Sequence, residues 1–355
     1  MLVIRFIGNL IDILLGYNYH GVAVDFSDDR WMNLENVFYQ SARIDRQHHG
    51  AVGILKTHGD AGNGFLQTFN ADVSLRYDNL RDRVDEPAQQ LFSSGIPMIA
   101  DNSWQATHLK FSTSVDGYRN DLAFKGFFNY GANTKFPTVV QRLSRPLGSS
   151  ADYVDLNSER VRSYDAGVEV FKEDMSSDVL DGWHAEGSFF RNYYTDKFRP
   201  FSSPGVPVVF YDNVPTAEIF GMEASFNVYL FMKKIDLEFG MAKYTISEKS
   251  AFPFKSEFKR TLDFTFDHAG FSFMLHWFYE SEQVGWIRTF DGEFAQVSLD
   301  PFTNLDVHLS KSFRIKQVKL FMNVSGRNVL ESKDVVLQGL AIRDSRAYLT
   351  FGVQF

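Results

Sequence analysis

Nine histidines are scattered along the chain and only His48 and His49 are adjacent. A pair of imidazoles can begin a transition-metal site, but it needs further donors at short spacing, and no carboxylate stands at ligand spacing from this pair. Asp236 with Glu238, and Asp165 with Glu169, have the composition of a general acid–base couple. Their even spacing fits the bland alternative better, two carboxylates on one solvated face of a strand. Gly59-Asp60-Ala61-Gly62-Asn63-Gly64 has the look of a phosphate loop, yet no helical pattern follows, so it reads as a turn. No Gly-x-Ser-x-Gly elbow occurs. Cysteine is absent, which excludes thiolate catalysis, thiolate zinc sites and a disulfide framework. The expectation is a protein that is no enzyme, with no catalytic residue, no metal and no cofactor.

The elements that would position these residues read as strands. Phenylalanine occurs 36 times and aromatics reach 16%, yet 23% of residues are charged, so apolar and polar side chains must interleave. The net charge of −8, from 44 acidic and 36 basic residues without a long run of either sign, argues against a nucleic-acid partner. No apolar stretch approaches the ~18 residues of a membrane helix, a test blind to barrels. The opening run Met1 to Ile7 is broken by Asn9 and Asp12 and lacks a small-residue cleavage site, so it reads as a strand.

Alternation with a period of two recurs through most of the chain. Val318, Leu320, Met322 and Val324 are separated mostly by polar residues, and Leu305, Val307 and Leu309 alternate with Asp306, His308 and Ser310. Ile235, Leu237, Phe239 and Met241 oppose Asp236 and Glu238; Phe220 to Leu230 alternates likewise. Comparable runs near 64–79, 105–116, 120–131, 160–172, 184–195, 258–267, 270–280 and 346–355 bring the expected count to about 12–14 strands. Before residue 60 the pattern is less clear. Several runs reach the ~9–11 residues with which a tilted strand crosses a bilayer.

Short connections, such as Asp267 to Gly270 and the turn around Arg314 to Lys316, alternate toward the C-terminal end with long ones at Asp82–Ser103, Phe136–Ser158 and Arg199–Pro215. Outer-membrane barrels show this asymmetry. Trp31–Ile44 has irregular apolar spacing, so no helix is expected, and nothing marks a boundary within residues 1–355.

Alternation alone fits a soluble sandwich better than a barrel. Two features shift the balance. Asp236, Glu238, Asp263, Asp306, His308 and Lys319 would be costly in a dry core and cost little beside water. The last strand carries Ala347, Leu349, Phe351, Val353 and the terminal Phe355 on one face, which resembles the signal read by the outer-membrane barrel assembly machinery.

Four segments resemble TonB-dependent outer-membrane receptors, in the order that family uses them. They are Gly131-Ala132-Asn133-Thr134-Lys135-Phe136-Pro137-Thr138, Glu159 to Glu169 with its Tyr164-Asp165-Ala166-Gly167-Val168-Glu169 ending, Ala217 to Glu223 with a second Gly-x-Glu, and Asn323 to Leu330. They cover roughly residues 120–355; the first 120 fit as upstream barrel strands. The resemblance implies an all-β, antiparallel transmembrane barrel in the bacterial outer membrane, here the C-terminal part of an incomplete barrel. The family's barrel has about 22 strands around a plug, and no plug or TonB-contact segment fits before Met1, so a truncated gene product or split reading frame is expected.

The implied function is the barrel wall of an importer of a siderophore, cobalamin or oligosaccharide, which of them being beyond the sequence. Implied partners are outer-membrane lipid and lipopolysaccharide, the assembly machinery, a small-molecule or glycan ligand, and TonB only through a plug. Trp183, Phe189, Phe190, Tyr193, Tyr194, Phe198, Trp277, Tyr279 and Trp286 read as interfacial girdles. The loops Arg199–Pro215 and Trp286–Pro301 hold the ligand candidates Phe201, Phe210, Tyr211, Trp286 and Phe290. The competing readings are a complete smaller porin-like channel and a soluble all-β glycan-binding protein.

Overall fold

The computed structural model describes residues 2–6, 10–27, 41–62, 64–86, 101–143, 156–173, 177–202, 209–288, 294–330, 335–337, 340–341 and 345–354. Nearly all are strand. The elements are β1 (Leu2–Phe6), β2 (Ile11–Ser27), β3 (Ser41–Asp60), β4 (Leu66–Glu86), β5 (Asn102–Arg119), β6 (Leu122–Lys135), α1 (Val139–Leu143), β7 (Glu159–Lys172), β8 (Leu180–Ser202), β9 (Val209–Leu230), β10 (Ile235–Ile246), β11 (Phe258–His268) and β12 (Phe271–Glu280). There follow β13 (Gln283–Arg288), β14 (Phe294–Leu299), β15 (Phe302–Ile315), β16 (Val318–Arg327), β17 (Val335–Leu337), β18 (Leu340–Ala341) and β19 (Arg346–Gln354).

Each strand from β1 to β12 pairs antiparallel with the next, and the meander continues through β15, β16 and β19. The hairpin β13–β14 interrupts it between β12 and β15. Apart from the short β1, the meander's strands number fourteen, as the alternation predicts. Among the described residues, β1 has its register with β2 and β19 has its register with β16. The region before residue 60, obscure in the sequence, holds two of the longer strands: 17 residues in β2 and 20 in β3. Glycines at 16, 21, 50, 53 and 59 blur the alternation there.

The registers put the apolar stripes of the meander's strands on one surface. On β4, Phe69, Val73, Leu75 and Tyr77 point outward; on β9, Phe220, Met222 and Phe226; on β10, Leu237, Phe239 and Met241; on β19, Leu349, Phe351 and Val353, and all are exposed. Phe351 is 69% exposed and opposite Met322. A sandwich would cover these side chains with a second sheet. Instead they form one continuous apolar face, which in water would be an aggregation surface and in lipid is satisfied.

Successive connections alternate between the two ends of the sheet, and most of the long ones share an end. Turns such as Asn120-Asp121, Ala269-Gly270 and Lys316-Gln317 lie at one end, while the strand ends that flank 28–40, 87–101, 136–158, 203–208, 247–257, 281–301 and 328–345 lie at the other. Two expected loops, Asp82–Ser103 and Arg199–Pro215, are shorter than the sequence reading placed them. β4 runs on to Glu86, β8 to Ser202, and β9 begins at Val209, because backbone pairing continues beyond the apolar stripe. In β4 the outward residues past Tyr77 are Asn79, Arg81 and Arg83, so the paired strand extends from the apolar zone into water. A short helix, α1, also interrupts the expected loop Phe136–Ser158.

Among the described residues, packed apolar core lies at the end with the long connections. Val214, Ala217 and Ala251 form one cluster with Tyr194 and Phe252; Ile219, Tyr244 and Ile246 form another with Phe190. The 3-10 turn Lys249–Ala251 folds there, capped by Glu248, whose side chain accepts from the Ser250 N–H.

Candidate functional site: the polar inner wall

Period two sends Asp236 and Glu238 to the inner surface together, as expected, and the registers extend that pair into rows across the sheet. Glu238 lies opposite Asp263, Asp263 opposite His276, and His276 opposite Asp306. Glu169 lies opposite Glu186 on β8. Directly opposed like charges destabilise a sheet unless water or a partner separates them. His276 Nδ1 sits 2.6 Å from Asp263 Oδ1 and His184 Nε2 sits 3.1 Å from Glu169 Oε1, so each carboxylate pair has one imidazole beside it. Between these rows is a depression of about 360 Å³ lined by Glu186, Glu223, Glu238, Lys259, Thr261 and Phe278, among others.

The two Gly-x-Glu elements have a physical basis on this wall. A Cβ on Gly167 would stand 2.6 Å from the Phe127 ring of β6, and one on Gly221 would stand 2.5 Å from the Phe190 ring of β8. Only glycine lets a neighbouring strand's aromatic lie flat across the backbone there. Two residues on, the glutamates return to the same face: Glu169 meets His184, and Glu223 accepts from the Tyr244 hydroxyl at 2.7 Å.

Toward the long connections the inner wall carries a dense ionic cluster. Arg46 forks onto Asp82 at 2.6 and 2.7 Å and also donates to the Pro137 carbonyl at 2.8 Å. Arg142 of α1 donates to Asp82 Oδ2 at 2.7 Å and lies 5.0 Å from the centroid of the Trp104 ring. These contacts hold the start of the 136–158 connection inside the wall. One step deeper, Asp78 meets Arg76, His48 at 2.8 Å and His108 at 2.9 Å. His48 therefore does have a carboxylate, delivered by the β3–β4 register from thirty residues away, beyond any local spacing rule. His49 points the other way, to the tyrosines: the Tyr17 hydroxyl lies 2.7 Å from its Nδ1. Among the described residues no group of histidines and carboxylates has the geometry to hold a metal ion.

At the rim, Arg199 forks onto Asp212 and reaches the Ser250 hydroxyl at 3.2 Å; its bond to Asp212 holds the guanidinium pKa above the ordinary value. Lys197 and the Phe198 N–H both donate to Glu159, at 3.0 and 2.8 Å. Burial pushes the ammonium of Lys255, in the 247–257 connection, below its ordinary value, and Lys259 adds to the effect.

The aromatics read as girdles divide by parity. Trp183, Phe189, Tyr193, Trp277 and Tyr279 do face outward. Phe190 and Tyr194 face inward and pack in the rim core, and Phe198 is buried at 3% exposure, so none of these three belongs to a girdle. The aromatic pairs Phe189-Phe190 and Tyr193-Tyr194 are adjacent in sequence, and neighbours on a strand cannot share a face. Tyr211 lies in β9 opposite Pro200, not in a loop; Phe201, Phe210 and Trp286 likewise lie on paired strand backbone, in β8, β9 and β13, and their side chains fall outside the described residues. Phe290 and Phe355 fall outside the described residues altogether.

Residues 5–329 match the family model for TonB dependent receptor-like β-barrels. A search of curated proteins by sequence finds no match. Among solved structures, the FrpB iron transporter from Neisseria meningitidis superposes with a TM-score of 0.62 at 14% identity, over 99% of this chain and 53% of its own. The ferric-catecholate import receptor Fiu from E. coli K12, in its closed form, gives 0.63 at 11% identity over 99% and 53%. The Serratia marcescens hemophore receptor HasR, in complex with its hemophore HasA and heme, gives 0.63 at 13% identity over 99% and 57%. These identities establish a shared fold. The chain spans a little over half the length of each.

Proposed function

Because the chain belongs to the TonB dependent receptor-like β-barrel family of the bacterial outer membrane, we propose that it forms the wall of an active importer for a siderophore, a cobalamin or an oligosaccharide. The observation that carries this is the division of one sheet into a continuous apolar surface and a charged one, whose opposed carboxylates require an aqueous or occupied interior. In this reading TonB acts through a plug held against the charged wall, and the wall supplies the path. Cargo is first met where the long connections emerge, around Phe201, Phe210, Tyr211, Trp286 and Phe290. The strand bearing Leu349, Phe351 and Val353, with Phe355 beyond it, is the recognition element for the assembly machinery; the outward exposure of the first three supports this.

Relatives in fold named for iron and heme make ferric siderophores the first cargo to test. Uptake of labelled ferric siderophores is expected in cells that supply this wall together with a plug and TonB, and none when any of the three is missing. Uptake of small solutes that is indifferent to TonB would instead mark a passive, porin-like channel.

A further inference from the structure

We propose that His108 is a pH-sensitive latch: its neutral imidazole fastens the end of β6 to the inner wall just before the 136–158 connection, and its protonation lets that junction go. The register of β5 with β6 ends at Leu109 opposite Ala132, although β5 runs on to Asn102 against β4 and β6 to Lys135 against β7. Beyond that point a side chain takes over from the ladder. The Thr134 N–H donates to His108 Nδ1 at 3.1 Å. On the far side of the ring, Nε2 lies 2.9 Å from Asp78 Oδ2.

Both ring nitrogens are thereby committed, Nδ1 as acceptor and Nε2 as the N–H of a neutral imidazole. A second proton would have to sit on Nδ1, where it would face a backbone N–H that can only donate. Charged His108 and the Thr134 bond therefore exclude each other.

The surroundings do not offset an added charge. Asp78 is 4% exposed and already takes Arg76 through both oxygens and His48 Nε2 at 2.8 Å. Gly50 permits this gathering, since a Cβ there would collide with Asn18 Oδ1 and Asp78 Oδ1. The charged and titratable groups facing His108 are Arg76 and Asp78 on β4, His48 on β3 with His20 of β2 opposite it, Lys110 on β5 itself and Lys135 on β6. One step toward the rim stand Arg46, Arg142 and their shared Asp82. Cations outnumber carboxylates in this set, so protonating the ring adds to an excess of positive charge.

The neighbouring fastening is of another kind. The clamp on Asp82 is built on guanidiniums, which keep their charge at any ordinary pH. α1 is further braced by a capping box, the Thr138 N–H donating to Gln141 Oε1 at 2.9 Å and the Gln141 N–H to Thr138 Oγ1 at 3.2 Å. Acid thus loosens the junction at Thr134 while α1 stays docked. The latch lies at the long-connection end, external in barrels of this kind, and answers to the pH outside the cell.

Hydrogen exchange of the full chain folded in detergent micelles tests this, followed in peptides spanning residues 131–136 and corrected for the intrinsic effect of pH. Between about pH 7.5 and about pH 5, within the range where imidazole titrates, exchange at Thr134 is expected to quicken roughly tenfold, the size set by losing one hydrogen bond. Peptides of α1 and β8 should keep their protection. H108Q, whose amide can accept from Thr134 and donate to Asp78 without titrating, should stay protected at both pH values; H108A should exchange fast at both, and H20Q should behave as the wild type. Circular dichroism confirms that each variant folds. Wild-type protection indifferent to pH, a pH response that survives in H108Q or is lost in H20Q, or full protection of H108A at neutral pH would each overturn the latch. Equal quickening in α1 and β8 would do so too, since it marks general loosening of the sheet.

Discussion

Arg142 on α1 and Asp82 on β4 are joined by a 2.7 Å hydrogen bond between Nη1 and Oδ2, and both side chains are completely enclosed. Sixty residues separate them in sequence. Breaking a buried pair by removing one partner leaves an uncompensated charge and costs about 3–5 kcal/mol. Asp82→Asn is therefore expected to release α1 from the wall, with Arg46 losing its partner as well. Limited proteolysis in the 136–158 connection should accelerate sharply while the sheet stays intact; unchanged protection would show that the ionic cluster does not hold the helix.

The two surfaces of β9 should respond oppositely to the same charge. Phe226 faces outward between Ala185 and Phe239, whereas Asn227 faces inward between His184 and Glu238. Phe226→Arg should cost up to ~2–4 kcal/mol in a bilayer. Asn227→Arg, beside a carboxylate and water, should cost little. Urea titrations of the chain folded in lipid vesicles read both, and equal penalties would contradict the assignment of faces.

Gly221→Ala would drive a methyl to 2.5 Å from the Phe190 ring and 2.7 Å from Tyr244. Overpacking of this kind costs typically ~1–3 kcal/mol. Phe190→Ala should absorb most of that penalty when the two changes are combined, whereas additive losses would mean the glycine serves another purpose.

Lys255 is held below its ordinary pKa of 10.5, chiefly by burial and then by Lys259, against the opposing pull of Glu223 and Glu280. Its folded form sheds a proton that the unfolded chain keeps. The wild type should therefore gain stability as pH rises from the lowered value toward 10.5, and show no such gain below it. Lys255→Met should flatten that part of the profile. A slope identical in both proteins would assign it to another group.

Alternation identified the strands because one face of each meets a different medium from the other, and that difference is written residue by residue, as in Ile235 to Met241. It was less clear before residue 60, where Gly53 and Gly59 stand on the outward face in place of apolar side chains. It also misjudged strand ends. Beyond Tyr77 both faces of β4 meet polar surroundings, so Asn79, Arg81 and Arg83 look like loop although the backbone remains paired. The Gly-x-Glu elements were legible as a family resemblance, but their cause, Phe127 and Phe190 lying across the glycines, belongs to neighbouring strands. The ionic cluster on Asp82 was invisible for a similar reason. Arg46, Trp104, and Pro137 with Arg142 come from three separate segments that meet only in the folded sheet.

The strict parity of these strands makes them intolerant of one kind of genetic change above others. Inserting or losing a single codon in the middle of a strand would exchange greasy and ionic side chains over everything downstream in that hairpin. The same lesion in one of the seven connections on the outward-opening side would leave every stave seated as before. Natural variants of this wall should therefore differ in length almost entirely at the outward-opening end, the part a phage or an antibody would see.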